Sequence, residues 1–483
     1  MSRLRHLSVL AAVILCTFLT ALDNSVVNIA LPRIRTELGL GETDLKWVAT
    51  AYPLTLASFL LLGGHLTDAK GRRWTLTTGL AVFTAASVCC ALSADGVMLV
   101  CSRGLQGLGA AFTLPASLAI LSHDLPQRAR TTGFGATAAT LAFALAFGPV
   151  ISGVVTQHLG WEWLFLLNVP LGLSSLVVGS AAVPRSSSLV SPGSRKALAA
   201  VPLRVVALAC VSLAALVYFL IEGPTFGVTA PRVVVSGVIS ATAAAGVCFA
   251  VTHRPIPALR TLFGQRAFTG GLITQLLWGL GVSGVYFYTS QFLQTGLRLS
   301  PTSAGLTFVP VASALLLTVP FVTVLTRRWG DGGVSAAGLL LVALGLLLVA
   351  LGSLRGGLAD LLPGLVAVGA GSALALPLTT RALESPPGRL SGFAAGLFSG
   401  TRELSGVFGI AFVGAIVTLV QRASVSGGVP QVEAFVSGYQ AGLCIAAALA
   451  GAGAPVAVWA LRPRVCGREG CCRTRACSAG RRD

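Results

Sequence analysis

The sequence predicts an all-α polytopic membrane protein, and three observations carry that prediction. Of its 483 residues, 54% are hydrophobic and only 10% are charged, against about 25% charged in a soluble domain. The mean hydropathy is +0.83. Apolar runs of roughly 20 residues, the length a helix needs to cross the hydrocarbon core, recur along the chain between short polar links.

Taken in order, the runs number fourteen. A short basic leader, Met1–His6, precedes the first at 7–31. A cleaved signal peptide starts in a similar way. This run is too long for one, contains Asp23, and lacks a small-x-small cleavage site, so it reads as a transmembrane helix. Further spans follow near 45–64, 74–94, 97–121, 131–156 and 163–183. A polar link at 184–200 leads to spans near 201–221 and 232–252. Six more lie near 268–291, 302–325, 333–353, 358–380, 391–420 and 437–461.

The polar stretch between the second and third runs, Gly63 to Arg73, orients the rest. Asp68, Lys70, Arg72 and Arg73 cannot lie in lipid, so the stretch is a tight interfacial loop turned at Gly71. Its basic residues place it in the cytoplasm by the positive-inside bias. An even number of spans returns the basic tail to the side of the leader, so both termini are expected in the cytoplasm. The stretch also has an echo. Leu66-Thr67-Asp68-Ala69-Lys70-Gly71-Arg72 is matched 259 residues on by Leu325-Thr326-Arg327-Arg328-Trp329-Gly330-Asp331, with charge reversed at the Asp68/Arg327 and Arg72/Asp331 positions. A chain built from two related halves is therefore expected. Residues 1–183 and 268–461 form two six-helix bundles, 184–267 hold a linker and an inserted helix pair, and 462–483 form a basic, Cys-rich tail.

A net charge of +18 invites a nucleic-acid reading. Most of the 34 Lys and Arg fall in segments on one side of the membrane, and only Arg103 and Arg402 fall within spans away from their edges, so the charge reports topology instead. Seven of the 11 Cys lie in spans, where a thiol behaves as a small apolar group. The other four, Cys466-x4-Cys471-Cys472-x4-Cys477, do not follow a usual zinc spacing, so no metal site is expected. All five His fall in loops, termini or span edges, which argues against an enzyme embedded in the membrane.

Asp23 is the first chemical candidate. A carboxylate within a span costs ~2.5–3.5 kcal/mol on insertion scales, so it must face a polar cavity or a partner. Two roles fit: a group that takes up and releases protons, or a carboxyl bonded to Asn24 or Asn28 that fixes helix packing. Arg103 is the second, with Gln106 and Gly107 on the same helical face at i, i+3 and i+4. Such an arginine either snorkels to the interface or lies among polar groups in a cavity. The third is Ala144-x3-Gly148-Pro149-Val150-Ile151-Ser152-Gly153, where Gly-Pro bends the fifth span and leaves a smooth packing face.

In order and spacing, Asp68-x2-Gly71-Arg72-Arg73, the Arg103 segment and the Gly148-Pro149-x3-Gly153 segment resemble three signature motifs of the major facilitator superfamily. Asp23 to Pro32 resembles the first-span motif of its drug:proton antiporters. The Trp161–Gly172 segment, Ile221-Glu222-Gly223-Pro224, Ser300-Pro301-x2-Ala304-Gly305 and Arg402-x3-Gly406-x2-Gly409 are similar to the fourteen-span branch. The likeness extends to bacterial antibiotic-resistance exporters, methylenomycin-type resistance proteins among them. Ala144 and Ser152 depart from the antiporter motif, where glycines are usual, and Glu403 stands where Gln is frequent. Adjacent residues lie about 100° apart around a helix, so no direct Arg402–Glu403 ion pair is expected.

The resemblance implies two six-helix bundles around a central cavity that opens alternately to each side. It implies proton-coupled export of small hydrophobic drugs across a bacterial plasma membrane by a monomer, with no cofactor and the proton gradient as energy source. Uptake of a metabolite with protons is the alternative. Asp23 would exchange protons for substrate, Arg103 would set its charge state, and Glu403 would add a second proton site or a contact for a cationic substrate. Asp68, Gly71, Arg72 and Arg73, with Arg130, would lock the cytoplasmic ends of the bundles. Asn28, Gln106, Tyr286 and Arg402 would line the substrate cavity.

Overall fold

A computed structural model describes residues 3–184, 203–253, 257–387 and 390–462, and the described residues form helices and no strands. The tail cysteines lie outside the described residues. Eleven helices are long and apolar enough to cross a membrane, and twelve if a bent pair within residues 135–158 counts as one span, so the chain is a multi-pass membrane protein.

In the first part of the chain α1 is Arg3–Leu38, α2 Glu42–Lys70, α3 Arg72–Ala91, α4 Gly96–His123 and α5 Gln127–His158. The next span is interrupted after one turn, into α6 (Glu162–Leu166) and α7 (Asn168–Ala182). Then come α8 (Leu203–Phe226), α9 (Pro231–His253) and the short α10 (Pro257–Phe263). The last part holds α11 (Arg266–Gln291), a π-helical turn (Phe292–Gly296), α12 (Pro301–Leu306), α13 (Val309–Arg355), α14 (Leu358–Leu374), α15 (Leu376–Glu384), α16 (Ser391–Ser426) and α17 (Gln431–Leu461).

Several helices overrun the expected apolar segments. α1 continues past Pro32 to Leu38, because a proline removes one backbone bond and bends a helix without ending it when neighbours hold both sides. Chain punctuation follows local chemistry: Asp95 caps α4 by accepting from the Met98 amide at 2.8 Å, and Ser300 caps α12.

The expected loop near 326–332 is a single-residue break within α13, at Gly330, with φ 72° and ψ 162°. Gly71 turns the chain between α2 and α3 with φ 96° and ψ 150°. Side chains rarely adopt that backbone, so glycine is required at both positions. The repeat read from sequence thus has a structural counterpart in two turns of nearly the same geometry.

α8 and α9 pack on each other through reciprocal bonds, Ser212 Oγ to the Ser240 carbonyl and Ser240 Oγ to the Ser212 carbonyl, both at 3.0 Å. The pair sits at the periphery, and α8 docks where α2 meets α16. Leu54 of α2, Val217 and Ile221 of α8, and Val407 and Ala411 of α16 form one buried cluster there.

Candidate functional site

Asp23 lies fully buried on α1 and faces α4 and α7. Its Oδ2 accepts from Arg103 Nη1 at 2.5 Å. Its Oδ1 accepts from Gln106 Nε2 at 2.8 Å and from Asn168 Nδ2 at 2.7 Å. Gln106 also donates to Ser87 Oγ at 2.8 Å and accepts from Arg103 Nη1. The guanidinium lies over two aromatic rings, 4.6 Å from the ring centre of Tyr52 and 5.7 Å from that of Phe165. Arg103 therefore does not snorkel to the interface: it is 1% exposed.

This arrangement corrects two expectations. Asp23 bonds neither Asn24 nor Asn28; successive residues point in different directions around α1, and the donors come from α4 and α7. Gln106 does not line a cavity, because both ends of its amide are taken up in the cluster and it is fully buried. Asn168, Ser87, Tyr52 and Phe165 were not singled out from sequence. For Asn168 a signal existed, since a polar amide in the middle of an apolar run needs a partner.

Glu403 lies on α16, and its Oε1 accepts from Arg402 Nη2 at 2.9 Å and Nε at 3.2 Å. The two side chains do form an ion pair, contrary to the expectation from helical angle. The long arginine stem curls back over the intervening 100°, so spacing between Cα atoms does not limit its reach. Across the seam between the two parts of the chain, Asn24 Nδ2 of α1 donates to Glu403 Oε2 at 3.4 Å. The Arg402 side chain is 42% exposed and that of Glu403 10%, so this pair is more open than the Asp23 cluster. Tyr286 stacks on Phe308 with centroids 5.4 Å apart, and Asn28 is held at the seam by its backbone, whose carbonyl accepts from Ser290 Oγ at 2.9 Å.

At the Gly71 end, Arg72 Nη2 lies 3.2 Å from Asp124 Oδ1, a nearly buried pair that ties the start of α3 to the end of α4. Both residues belong to the first part of the chain, so the pair does not join the bundles. Arg73 and Arg130 are half-buried, and the Asp68 side chain lies outside the described residues.

At the opposite end the two parts meet closely. A methyl group at Gly153 of α5 would strike the Pro301 carbonyl, and one at Gly305 of α12 would strike the Pro149 carbonyl. The contact is reciprocal and leaves no room for a side chain on either glycine. Gln157 Oε1 accepts from the Thr302 amide at 3.2 Å, and Gln294 Nε2 donates to the Ile29 carbonyl at 2.9 Å. Every described hydrogen bond between residues 3–184 and 266–462 lies between the membrane middle and this end. The two departures in the antiporter-like motif face α1: Ser25 Oγ donates to the Ala144 carbonyl at 3.1 Å, and Ser152 Oγ donates to the Val26 carbonyl.

Helices that meet closely at one end, with buried charge among them, are the frame into which the sequence comparisons fit. Residues 13–410 match the family model of the Major Facilitator Superfamily, and the chain belongs to that family. It is 32% identical over 407 residues to the "Multidrug resistance protein Stp" of Mycobacterium tuberculosis, covering 83% of this chain and 74% of that one. It is 32% identical over 408 residues to the "Methylenomycin A resistance protein" of Streptomyces coelicolor, covering 83% of both. Its fold is similar to that in the crystal structure of an auto-inhibited POT family peptide transporter, with a TM-score of 0.68, 17% identity, and coverage of 96% of this chain and 98% of that one.

Proposed function

We propose that this protein exports small, mostly hydrophobic drugs or antibiotics from a bacterial cell in exchange for protons. The observation that carries the reading is a pair of unlike carboxylates within the membrane. Asp23 is fully buried and bonded by three donors, whereas Glu403 pairs with the exposed Arg402 and accepts across the seam from Asn24.

Their division of labour follows from cost. Protonating Asp23 in this state means giving up a buried ion pair, and uncoupling such a pair costs ~3–5 kcal/mol. Opening that ion pair goes with a shift of α1 against α4, which couples the carboxylate to conformation. Glu403, at the seam, is placed to contact a proton or a cationic substrate first. The gradient supplies ~2.3 kcal/mol per 100 mV for each proton moved.

In this reading the joined end faces outward and the Gly71 end, with both termini, faces the cytoplasm. The conformation is then open to the cell interior. Asp68, Gly71, Arg72, Arg73 and Arg130 engage the second bundle in the opposite state, while the Gly148-Pro149-x3-Gly153 segment seals this one. Fourteen spans follow if α2 and the bent α5 are each counted and the 55-residue element Pro301–Arg355 is divided at Gly330. The protein works as a monomer.

Drug accumulation in a pump-deficient bacterial host tests the proposal, with a panel that includes methylenomycin A and with a protonophore as control. Wild type should lower accumulation, and the protonophore, Asp23→Asn and Glu403→Gln should each abolish that effect at equal expression. Raised accumulation with wild type would identify an uptake symporter instead.

A further inference from the structure

Lys46 is buried, 2% exposed, at the joined end. Its stem crosses from α2 to α16 and passes over Gly414, where an added methyl would lie 3.2 Å from Lys46 Cε. The ammonium donates to Thr418 Oγ1 at 2.8 Å and to the Gly414 carbonyl at 3.4 Å. Among the described residues it forms no ion pair, and the charges that act on it are Glu42, Arg422 and Glu222. Glu222 is engaged by Trp47 Nε1 at 3.2 Å, and Arg422 Nη1 donates to the Pro224 carbonyl at 2.6 Å. The same methyl at Gly414 would also strike the Tyr288 hydroxyl, which is buried and has no hydrogen-bond partner among the described residues.

The closed junction is therefore short of hydrogen bonds on both sides. An ammonium stripped of water receives one short and one long acceptor, which return less than its hydration did. A phenol hydroxyl receives none. Both deficits vanish when this end opens and water enters. Thr418 and Gly414 are one helical turn apart, so without the lysine the threonine hydroxyl can bond the Gly414 carbonyl of its own helix and nothing is orphaned.

We propose that Lys46, with Tyr288, is the release element of the closed end: a buried charge that keeps the closed state from becoming a resting trap and so positions the transporter to reopen. The inference takes its consequence from the alternating-access reading, but its test needs no substrate.

The test is backbone hydrogen exchange on the full-length protein in lipid nanodiscs, read in segments 28–38 and 290–306. Lys46→Met and Tyr288→Phe should slow exchange there by about tenfold, the shift expected when a closed state gains stability. Thr418→Val, which removes the short acceptor and leaves the ammonium worse off, should speed it. Exchange in α14 should stay unchanged in all three. A lysine that merely pinned the end shut would give faster exchange for Lys46→Met, and that result or no change would overturn the proposal. Tyr288→Phe keeps the packing intact and carries the test if Lys46→Met does not fold. Slowed exchange alongside a failure of wild type to export any compound would leave the release element standing and sink the export reading.

Discussion

Asp331 and Arg381 form, with charges exchanged, the contact that Arg72 and Asp124 form in the first part of the chain. Arg381 Nε donates to Asp331 Oδ2 at 2.6 Å, and the acid sits immediately after Gly330 just as Arg72 follows Gly71. One end of each bundle is thus tied by an ion pair next to a left-handed glycine, although the residue types have traded places.

The two ties differ in burial, and that fixes what each contributes. The Arg72 and Asp124 side chains are 8% and 9% exposed, those of Arg381 and Asp331 56% and 27%. Arg72→Ala should lower stability by about 2 kcal/mol because it removes a charge-assisted contact that is mostly shielded from water. Arg381→Ala should cost less than about 1 kcal/mol. Thermal unfolding of both variants in one detergent measures this, and equal losses would show that burial does not set the difference.

Asp23→Asn should destabilise the fold by ~3–5 kcal/mol, because Arg103 is then buried without a counter-charge. The double variant Asp23→Asn, Arg103→Gln should be more stable than Asp23→Asn alone. A double-mutant cycle reads the coupling, and strict additivity would mean that the two side chains do not act as a pair.

Glycine-to-leucine changes at the reciprocal contact should prevent closure. Gly153→Leu or Gly305→Leu places side-chain carbons against the Pro301 or Pro149 carbonyl, which the packed helices cannot absorb. The expected result is a loss of drug efflux of at least about tenfold with faster hydrogen exchange in residues 290–306. Wild-type efflux from both variants would show that this seam need not close.

The α8–α9 pair is held against α2 by few polar contacts among the described residues. Trp47→Phe removes the donor to Glu222 and should cost about 1–2 kcal/mol. Because the Thr43–Thr225 contact and the apolar cluster remain, the loosening should appear in α8 and α9 and leave α1 unchanged. Hydrogen exchange resolves the two regions, and a uniform change across the chain would argue for global destabilisation instead.

Much of this architecture is legible in the sequence because membrane helices obey a short list of rules. Length and apolarity locate the spans, and Gly71 and Gly330 declare themselves through a polar stretch repeated 259 residues apart. The partnership of Asp23 with Arg103 is less legible. Each is visible as an intramembrane charge, but their meeting depends on the rotation of α1 against α4, which periodicity along one helix does not encode. Asn168 supplies the third donor from a helix 145 residues away. Arg402 and Glu403 show the limit of arguing from helical angle alone, since four flexible side-chain bonds undo it. Lys46 went unnoticed because a lysine at the edge of an apolar run reads as a snorkelling residue, and only the packing of α16 over it shows that it is enclosed.

Proton movement into proteoliposomes tests the central claim most directly. Purified protein is reconstituted with a pH-sensitive dye in the lumen, and a compound that wild type expels from cells is added under a fixed pH gradient. Proton-coupled export predicts a substrate-dependent pH change with wild type that is lost in Asp23→Asn and Glu403→Gln. Substrate transport with no accompanying proton movement, or proton movement unchanged in both variants, would contradict it.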